Sequence, residues 1–400
     1  MSGDFDLLIA GGGLVGGSLA LALRNTGLRI GIVESQPEAQ RLAAPAGERA
    51  LALSWGSVQI LEQLGIWRGA AEQATPITRI HVSDRGHFGK TRLSADRVDM
   101  PALGYVVRAK VLEAEIARLL QEGPVEWLCP ARVVGVKAGP DAAHVSLNRN
   151  GISDTRSARL LVAADGGLST VRSLLEIPQT VRDYGQTALV TEVATERNNR
   201  GVAYERFTRS GPLAFLPVGK RRCSVVWSLA PEEAEALRVE PEQAFIARLQ
   251  AAFGYWLGEL SPLTPRQCFP LKLVRAGRMV DERVVLIGNA MHQLHPVAGQ
   301  GFNLGLRDVA VLAGHVDAQL GFAADIGDRE FLDRYAGARR SDLDAVIRMT
   351  DSLVRVFSTE GAWAAGLRNA GMLVLDNLPA AKRLLMSYAM GRGQGVPRVG

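Results

Sequence analysis

Four hundred residues with 47% apolar content carry a formal charge of +5, of which residues 345–400 contribute +4. Lys and Arg are not clustered and few aromatics interleave with them, which argues against a nucleic-acid partner. The length provides for two or three domains, or one large α/β unit with an insertion. Three cysteines (Cys129, Cys223 and Cys268) are odd in number and far apart, a usage that fits a reducing compartment rather than a disulfide framework.

The N-terminus, MSGDFDLLIAGGG, has acidic residues where a signal peptide needs basic ones, and its apolar run is short. No run of eighteen apolar residues occurs, so no spanning helix is expected. These features predict a soluble, cytoplasmic chain.

Four apolar runs share one design: DLLIAGGG (6–13), RIGIVES (29–35), RLLVAADGG (159–167) and RVVLIGNA (283–290). Each lacks alternation, as strands buried on both faces do, and each ends in glycine or a small polar or acidic residue. Ligands of a doubly wound parallel sheet bind outside the carboxyl ends of such strands, so the four runs predict one crevice.

The first run leads through Gly11-Gly12-Gly13-Leu14-Val15-Gly16 into the helical pattern SLALALRNTG. Strand, GxGxxG and helix together form a dinucleotide fingerprint. Gly11 permits the tight turn, Gly13 lets the pyrophosphate approach the backbone, and Gly16 lets helix and strand pack. The helix N-terminus adds free N–H groups and partial positive charge. Glu34 ends the second run, where a carboxylate accepts from a ribose diol and repels a 2′-phosphate. The site therefore suits the ADP half of FAD or NAD. No second GxGxxG exists, so a nicotinamide donor has no Rossmann site of its own beside FAD.

The third run closes on Ala164-Asp165-Gly166-Gly167. Asp165 has two readings that can both hold, a cap for the next helix and a contact to the cofactor's sugar or phosphates. Between Tyr184 and Phe269, ALVTEVAT, VAYERFT, GPLAFLPV and RCSVVWSL read as antiparallel strands, to which 76–100 with ITRIHVSD adds more. Such a sheet forms the second wall of a cleft.

The fourth run opens GNAMHQLHPVAGQGFNLG (288–305). His292 and His295 are three apart, Pro296 breaks any helix there, and no third ligand lies nearby, so no metal is expected. Each histidine reads as a packing or hydrogen-bonding residue of the cleft wall. Gly299-Gln300-Gly301 leads into the helix FNLGLRDVAVLAGHV, whose free N-terminus suits the edge of a flavin that gains negative charge on reduction. From Arg334 onward the pattern is helical.

With these three segments in order, the chain resembles the flavoprotein aromatic hydroxylases of the para-hydroxybenzoate hydroxylase fold, over nearly its whole length. Within them it is similar to the FAD-dependent hydroxylases of ubiquinone biosynthesis. HVSDRGHFG (81–89), LGYVV (103–107), ERFT (205–208), GPLAFLP (211–217) and RCSVVW (222–227) are most similar to those members that hydroxylate 2-polyprenyl-6-methoxyphenol. The resemblance implies FAD, reduced by NAD(P)H and reacting with O2 through a C4a-hydroperoxide, and a new hydroxyl para to the phenol oxygen.

It also implies roles by position. Gly11, Gly13, Gly16 and Glu34 hold the ADP half. Gly288 and Asn289 lie at the ribityl or pyrophosphate region, and Pro296 lies at the flavin's reacting face. Gly299, Gly301, Phe302 and Asn303 present backbone to the pyrimidine edge. Arg49 and Arg108 match arginines near the cofactor, Arg49 having a surface salt bridge as its plain alternative. Two departures stand out. Asn289 replaces the usual aspartate, removing a charge while keeping hydrogen bonding. Before Arg49 the chain reads Gly47-Glu48, where the acidic residue is expected one place earlier.

The implied organisation is an FAD-binding Rossmann-type α/β domain in three parts (1–75, 101–180, 271–340), with an inserted antiparallel substrate sheet (76–100, 181–270) and C-terminal helices (341–400). From 345 to 400 there are seven basic and three acidic residues. VIRMTDSLVRVF and AAKRLLMSYAM then read either as interfacial helices or as helices packed on the FAD domain. Sibling hydroxylation at another ring position, and a non-catalytic FAD-binding subunit of a quinone-biosynthesis complex, are the alternative functions.

Overall fold

A computed structural model describes residues 4–43, 45–84, 90–208, 210–294, 300–322, 324–358 and 390–391. The chain begins with β1 (Phe5–Ala10), α1 (Leu14–Leu23), β2 (Ile30–Val33) and α2 (Glu38–Ala43). Leu7, Leu8 and Ile9 are fully buried because β1 has parallel neighbours on both edges and helices on its faces. α1 is apolar all round, as a helix packed on several sides must be. A Cβ on Gly17 would come within 2.5 Å of Ile116, so only glycine lets α1 approach that neighbour.

Next come β3 (Ala50–Ser54), α3 (Trp55–Gln63), α4 (Ile66–Ala70) and β4 (Thr75–Ile77). The hairpin strands β5 (Arg79–Asp84) and β6 (Lys90–Ser94) come after them, then β7 (Gly104–Arg108), α5 (Ala109–Gln121) and β8 (Glu126–Leu128). β3, β7 and β4 form a small antiparallel sheet of their own.

β9 (Arg132–Ala138) and β10 (Ala143–Arg149) lead into β11 (Ile152–Ala163), which does two jobs. Its first half pairs antiparallel with β10, and its second half pairs parallel with β1. Only the buried second half has the apolar signature of a strand in the sequence, since the first half alternates and is half-exposed. α6 (Thr170–Leu174) then turns the chain into the second large sheet.

That sheet is built from β12 (Gln179–Thr195), β13 (Val202–Thr208), β14 (Gly211–Gly219) and β15 (Arg222–Leu229). After α7 (Pro231–Val239) and α8 (Glu242–Phe253) come β16 (Leu260–Pro262) and β17 (Gln267–Ala276). β18 (Val280–Asp281), β19 (Val284–Leu286) and β20 (His292–Gln293) precede the long helices α9 (Gln300–Gly321) and α10 (Arg329–Ser358).

The first sheet runs β18-β19-β11-β1-β2-β8, parallel from β19 to β8. The four apolar runs of the sequence are therefore adjacent, with their carboxyl ends along one edge. The second runs β20-β17-β12-β15-β14-β13-β5-β6, antiparallel except for β13 beside β5. β5 and β6 do join this sheet. The fold is thus a mixed α/β architecture, a largely parallel sheet flanked by helices with an inserted antiparallel sheet and long helices towards the C-terminus.

α7 and α8 differ from the strands-only texture expected for 184–269. Pro231 at the first turn, with Glu232 and Glu233, starts α7. In α8, Phe245, Leu249, Ala252 and Phe253 make one buried stripe. Both helices cover the outer face of the second sheet, packing on Leu189, Val193, Leu213, Phe215 and Val225. Cys129, Cys223 and Cys268 are free thiols, and burial pushes Cys223 up to about 12. Among the described residues no helix is long and apolar enough to cross a membrane.

Phe253 stacks on Phe215 with centroids 3.8 Å apart and is fully buried. Phe253→Ala is expected to cost about 3–5 kcal/mol, read by urea unfolding. A loss below about 1 kcal/mol would mean that α8 is not a required cover for the sheet.

Candidate cofactor site and substrate cleft

Gly11 sits at φ +101°, and a Cβ there would lie 2.5 Å from the Ala164 carbonyl oxygen. A side chain on Gly16 would strike the Gly11 carbonyl. Gly13 is the opposite case, with no atom within 4 Å of a Cβ position. It is also the N-cap of α1, without a side-chain cap and with no acidic residue in the first turn. Tight packing on two glycines and open space at the third leave a bare helix N-terminus with room before it, which fits a pyrophosphate.

Glu34 is buried at the end of β2. Its Oε2 accepts from the Gly12 N–H at 2.9 Å and its Oε1 from the Gln36 N–H at 2.8 Å. Two backbone donors thus fix the carboxylate against the glycine loop. Arg41, which no sequence motif singles out, donates to the Gly12 carbonyl at 3.0 Å and lies 3.7 Å from Glu34 and over the Trp127 ring.

Ser169 is the N-cap of α6, its Oγ accepting from the Arg172 N–H at 3.0 Å, and Asp165 shares the capping, its Oδ2 accepting from the Val171 N–H at 3.0 Å. Its Oδ1 is buried without a hydrogen-bond partner. A buried carboxylate oxygen left unpaired costs on the order of 1–3 kcal/mol unless a ligand donates to it, so this atom fits a hydroxyl of the cofactor. Beside it, Arg172 donates to the carbonyls of Gly167 at 2.8 Å and Ala290 at 2.7 Å, tying the second cofactor segment to the third. Burial lowers its guanidinium pKa while Asp165 pulls the other way, and arginine remains charged.

In the third segment, Gly288 (φ +57°) and Gly305 both close on Val15 of α1. The Asp308 carboxylate organises the turn from Gly288 to His292. Oδ2 accepts from the Gly288 N–H at 2.9 Å and meets His292 Nε2 at 2.7 Å, while Oδ1 accepts from Arg339 Nε at 2.8 Å. Burial alone would raise its pKa, but the His292 and Arg339 charges and these hydrogen bonds hold it at about 2. Asp342 completes the cluster by pairing with both Arg339 and Arg307. The signal is present in the motif, as the Asp of FNLGLRD, but its partner Arg339 lies 31 residues away.

His292 is fully buried as a hydrogen-bonding residue of the wall. No metal-type cluster occurs among the described residues. Asn289 is exposed. His295, Pro296 and Gly299 lie outside the described residues. A Cβ on Gly301 would meet open space, and Phe302 packs on the main core. Asn303 is buried, its side chain accepting from the Ser54 N–H and donating to the Ala52 carbonyl, both at 2.9 Å. It therefore joins the start of α9 to β3. Arg49, just before β3, is exposed. Arg108 bridges Glu48 and the buried Glu192, each at 2.8 Å, and so links the cofactor domain to the second sheet.

Ala50 and Ala52 of β3 and Val106 of β7 pack on Ala203, Leu216 and Val218 of the second sheet. On this inner face, register aligns Val190, Val226, Ala214, Glu205 and Val82 in one row across five strands. All five are partly exposed, whereas Glu192, Ser224 and Ala203 to one side and Ser228, Phe207 and Asp84 to the other are buried. Partial exposure in the middle of a sheet, facing a second domain, defines an apolar groove.

A sheet-edge nucleotide cradle opposite an apolar sheet groove defines a flavin-dependent monooxygenase. The FAD binding domain family matches residues 4–350. Ubiquinone hydroxylase UbiL of Rhodospirillum rubrum is 37% identical over 392 residues, covering 96% of this chain and 89% of its own. The 3-demethoxyubiquinol 3-hydroxylase of Escherichia coli is 28% identical, covering 96% and 98%. Among solved structures, p-nitrophenol 4-monooxygenase PnpA of Pseudomonas putida superposes with a TM-score of 0.79 at 18% identity, covering 97% of this chain and 98% of its own. The probable FAD-dependent monooxygenase pqsL of Pseudomonas aeruginosa gives 0.76 at 25%, covering 92% and 99%. The chain belongs to the FAD-dependent hydroxylases of ubiquinone biosynthesis. FAD is its cofactor.

Gly16→Val should abolish FAD retention through the clash with Gly11, read as loss of flavin absorbance after gel filtration. Asp308→Asn leaves Arg339 and His292 facing a neutral amide and should cost about 3–5 kcal/mol in unfolding. The folded pKa of Asp308, about 2, lies below its ordinary 3.8. Its stabilisation is therefore complete above pH ~4 and lost as pH falls towards ~2. In acid titrations followed by circular dichroism, the variant should lose that segment of pH dependence; an unchanged profile would refute the assignment.

Proposed function

We propose that the protein hydroxylates a polyprenylated phenol, adding the new hydroxyl para to the phenol oxygen to give a 1,4-benzoquinol. The observation that carries this reading is the Val190–Val226–Ala214–Glu205–Val82 groove, apolar but for one carboxyl and facing the cofactor domain. It suits an aromatic ring bearing a hydrocarbon chain. The similarity to UbiL and the segments ERFT and GPLAFLP support the same class.

FAD, when bound, supplies oxygen activation, with NAD(P)H and O2 as co-substrates. The chain's own residues then bind and orient. Gly11, Gly13 and the α1 N-terminus hold the pyrophosphate, Glu34 takes the ribose diol, and Asp165 Oδ1 accepts from a cofactor hydroxyl. Gly288 and Asn289 flank the ribityl and pyrophosphate region, and Asn289 can accept or donate there without adding a charge. Pro296, Gly299, Gly301, Phe302 and the Asn303 backbone present the isoalloxazine wall. The N-terminus of α9 stabilises negative charge at the pyrimidine edge. Arg49 adds positive charge beside the cleft. Arg108 positions the two walls through Glu48 and Glu192. Part of the chain past Pro379 meets the bilayer that holds the substrate, while Met390 anchors it to the body of the protein against Leu93 and Leu103.

Complementation tests the ring position. In bacterial strains each lacking one ring hydroxylase, with quinone intermediates identified by mass, rescue is expected where 2-polyprenyl-6-methoxyphenol accumulates. Rescue of another strain alone would reassign the position, and rescue of none would reject the reading. Deleting residues beyond Pro379 should weaken liposome cosedimentation while FAD stays bound; undiminished cosedimentation would remove the membrane role.

A further inference from the structure

Glu205 is the one ionisable group of the groove row. It lies at the centre of the second sheet, with Val82 of β5 on one side and Ala214 of β14 on the other. Tyr204 and Arg206 alternate to the outer face, where Tyr204 packs against Phe253 and Arg206 lies over Trp256. The Glu205 carboxyl makes no hydrogen bond or ion pair among the described residues, although its backbone is held in the ladder on both edges. Its side chain is partly exposed on the groove face, so the carboxyl is open to whatever the groove holds.

The surroundings isolate it. Among the described residues, the ionisable groups on its own face are Asp84, two residues along on β5, and Glu192 on β12 with Arg222 on β15, Glu192 being paired with both Arg108 and Arg222. β14 brings only Pro212, Ala214 and Leu216, β6 brings Thr91, and Lys90 and Arg92 pair with outer-face positions. From the cofactor domain, β3, β4 and β7 approach with Ala50, Ala52, Ile77 and Val106, and Arg108 ends β7. No cation among the described residues pairs with Glu205, and burial alone pushes its carboxyl up to about 7.

We propose that Glu205 is the catalytic base of this hydroxylase, accepting the phenol proton of the substrate as the ring is attacked. This rests on the phenol-hydroxylating reading of the groove. The phenol O–H bond breaks and a carboxyl O–H bond forms, while the oxygen's electron pair moves into the ring and the para carbon takes the oxygen atom supplied by the flavin chemistry. When that carbon loses its hydrogen to water and the ring rearomatises, Glu205 returns the proton to the same oxygen. The carboxylate is regenerated and no further oxidant is needed. A base whose pKa lies near the working pH is best placed for both transfers.

The test uses the full-length FAD-loaded protein, a short-chain 2-prenyl-6-methoxyphenol and its O-methyl ether. Glu205→Gln should keep FAD and lower kcat by about 100-fold or more, with KM changed far less, and should lose the acid limb near pH 7 from the kcat profile. Glu205→Leu, which has no acceptor, should abolish the preference for phenol over ether, read by perturbation of flavin fluorescence on binding without turnover. Glu205→Asp should recover part of the rate. If wild type hydroxylates the phenol and Glu205→Gln matches its rate and pH profile, this role is overturned while the proposed function stands. If wild type binds neither probe, both are rejected. If Glu205→Leu distinguishes phenol from ether as well as wild type does, another group holds the phenol and the inference fails.

Discussion

The buried Asp308 carboxylate is the constraint on which the cofactor wall depends. Strand β19 ends at Leu286, and the chain must then turn through Gly288 at positive φ while its backbone donors lose their ladder partners. Asp308 reaches back from α9 to take the Gly288 N–H, and the same oxygen meets His292. An isolated carboxylate in that position would cost several kcal/mol, which Arg339 offsets from α10. One acid thus joins a strand end, the segment after it and two long helices. The arrangement specifies geometry more than it adds stability, because apolar replacement of a whole buried ion pair is often neutral while loss of one member is not.

A second set of contacts sets the separation between cofactor and substrate walls. Asn303 grips β3 through Ser54 and Ala52, so the start of α9 cannot shift without moving that strand. The alanines of β3 rest in turn on Ala203, Leu216 and Val218. Small side chains bring the two walls close along this line, and Arg108 clamps them at its end through buried Glu192. One row further along the sheet the packing opens into the groove. Closeness in one row and space in the next come from the same pair of surfaces.

The cofactor half is more legible in the sequence than the substrate half, for physical reasons. β1, β2, the end of β11 and β19 are buried on both faces, so an unbroken apolar run ending in glycine or acid marks both the strand and the crevice. Gly16 is legible because its constraint is local, the carbonyl of Gly11 in the same loop, and Gly11 because the turn itself demands a positive φ. Arg172 and Asp308 are not, because their partners Ala290 and Arg339 lie 118 and 31 residues away. The β9–β10 extension alternates like any exposed hairpin and carries no ligand signal. Asn289 reads in the sequence as a departure from a motif, and its exposure follows from the turn at Gly288. The groove is least legible of all, since it requires the register of five strands drawn from 79–84 and 179–229.

The ion pairs and the lone carboxyl divide along the same boundary. Around the cofactor segments, Glu34, Asp308, Asp342 and Glu192 are each held by backbone donors or guanidinium groups, so that their positions are fixed and define a binding surface. Glu205 has none of these restraints among the described residues and lies among Val82, Ala214 and Val226, where charge is disfavoured and a proton is gained easily. A fixed anion is useful for holding a cofactor that arrives already shaped. A carboxyl that can change its protonation state at little cost is useful only where a proton must move. The two kinds of acid therefore mark the two functions of the cleft, and the row between buried neighbours is where a reacting ring meets the second kind.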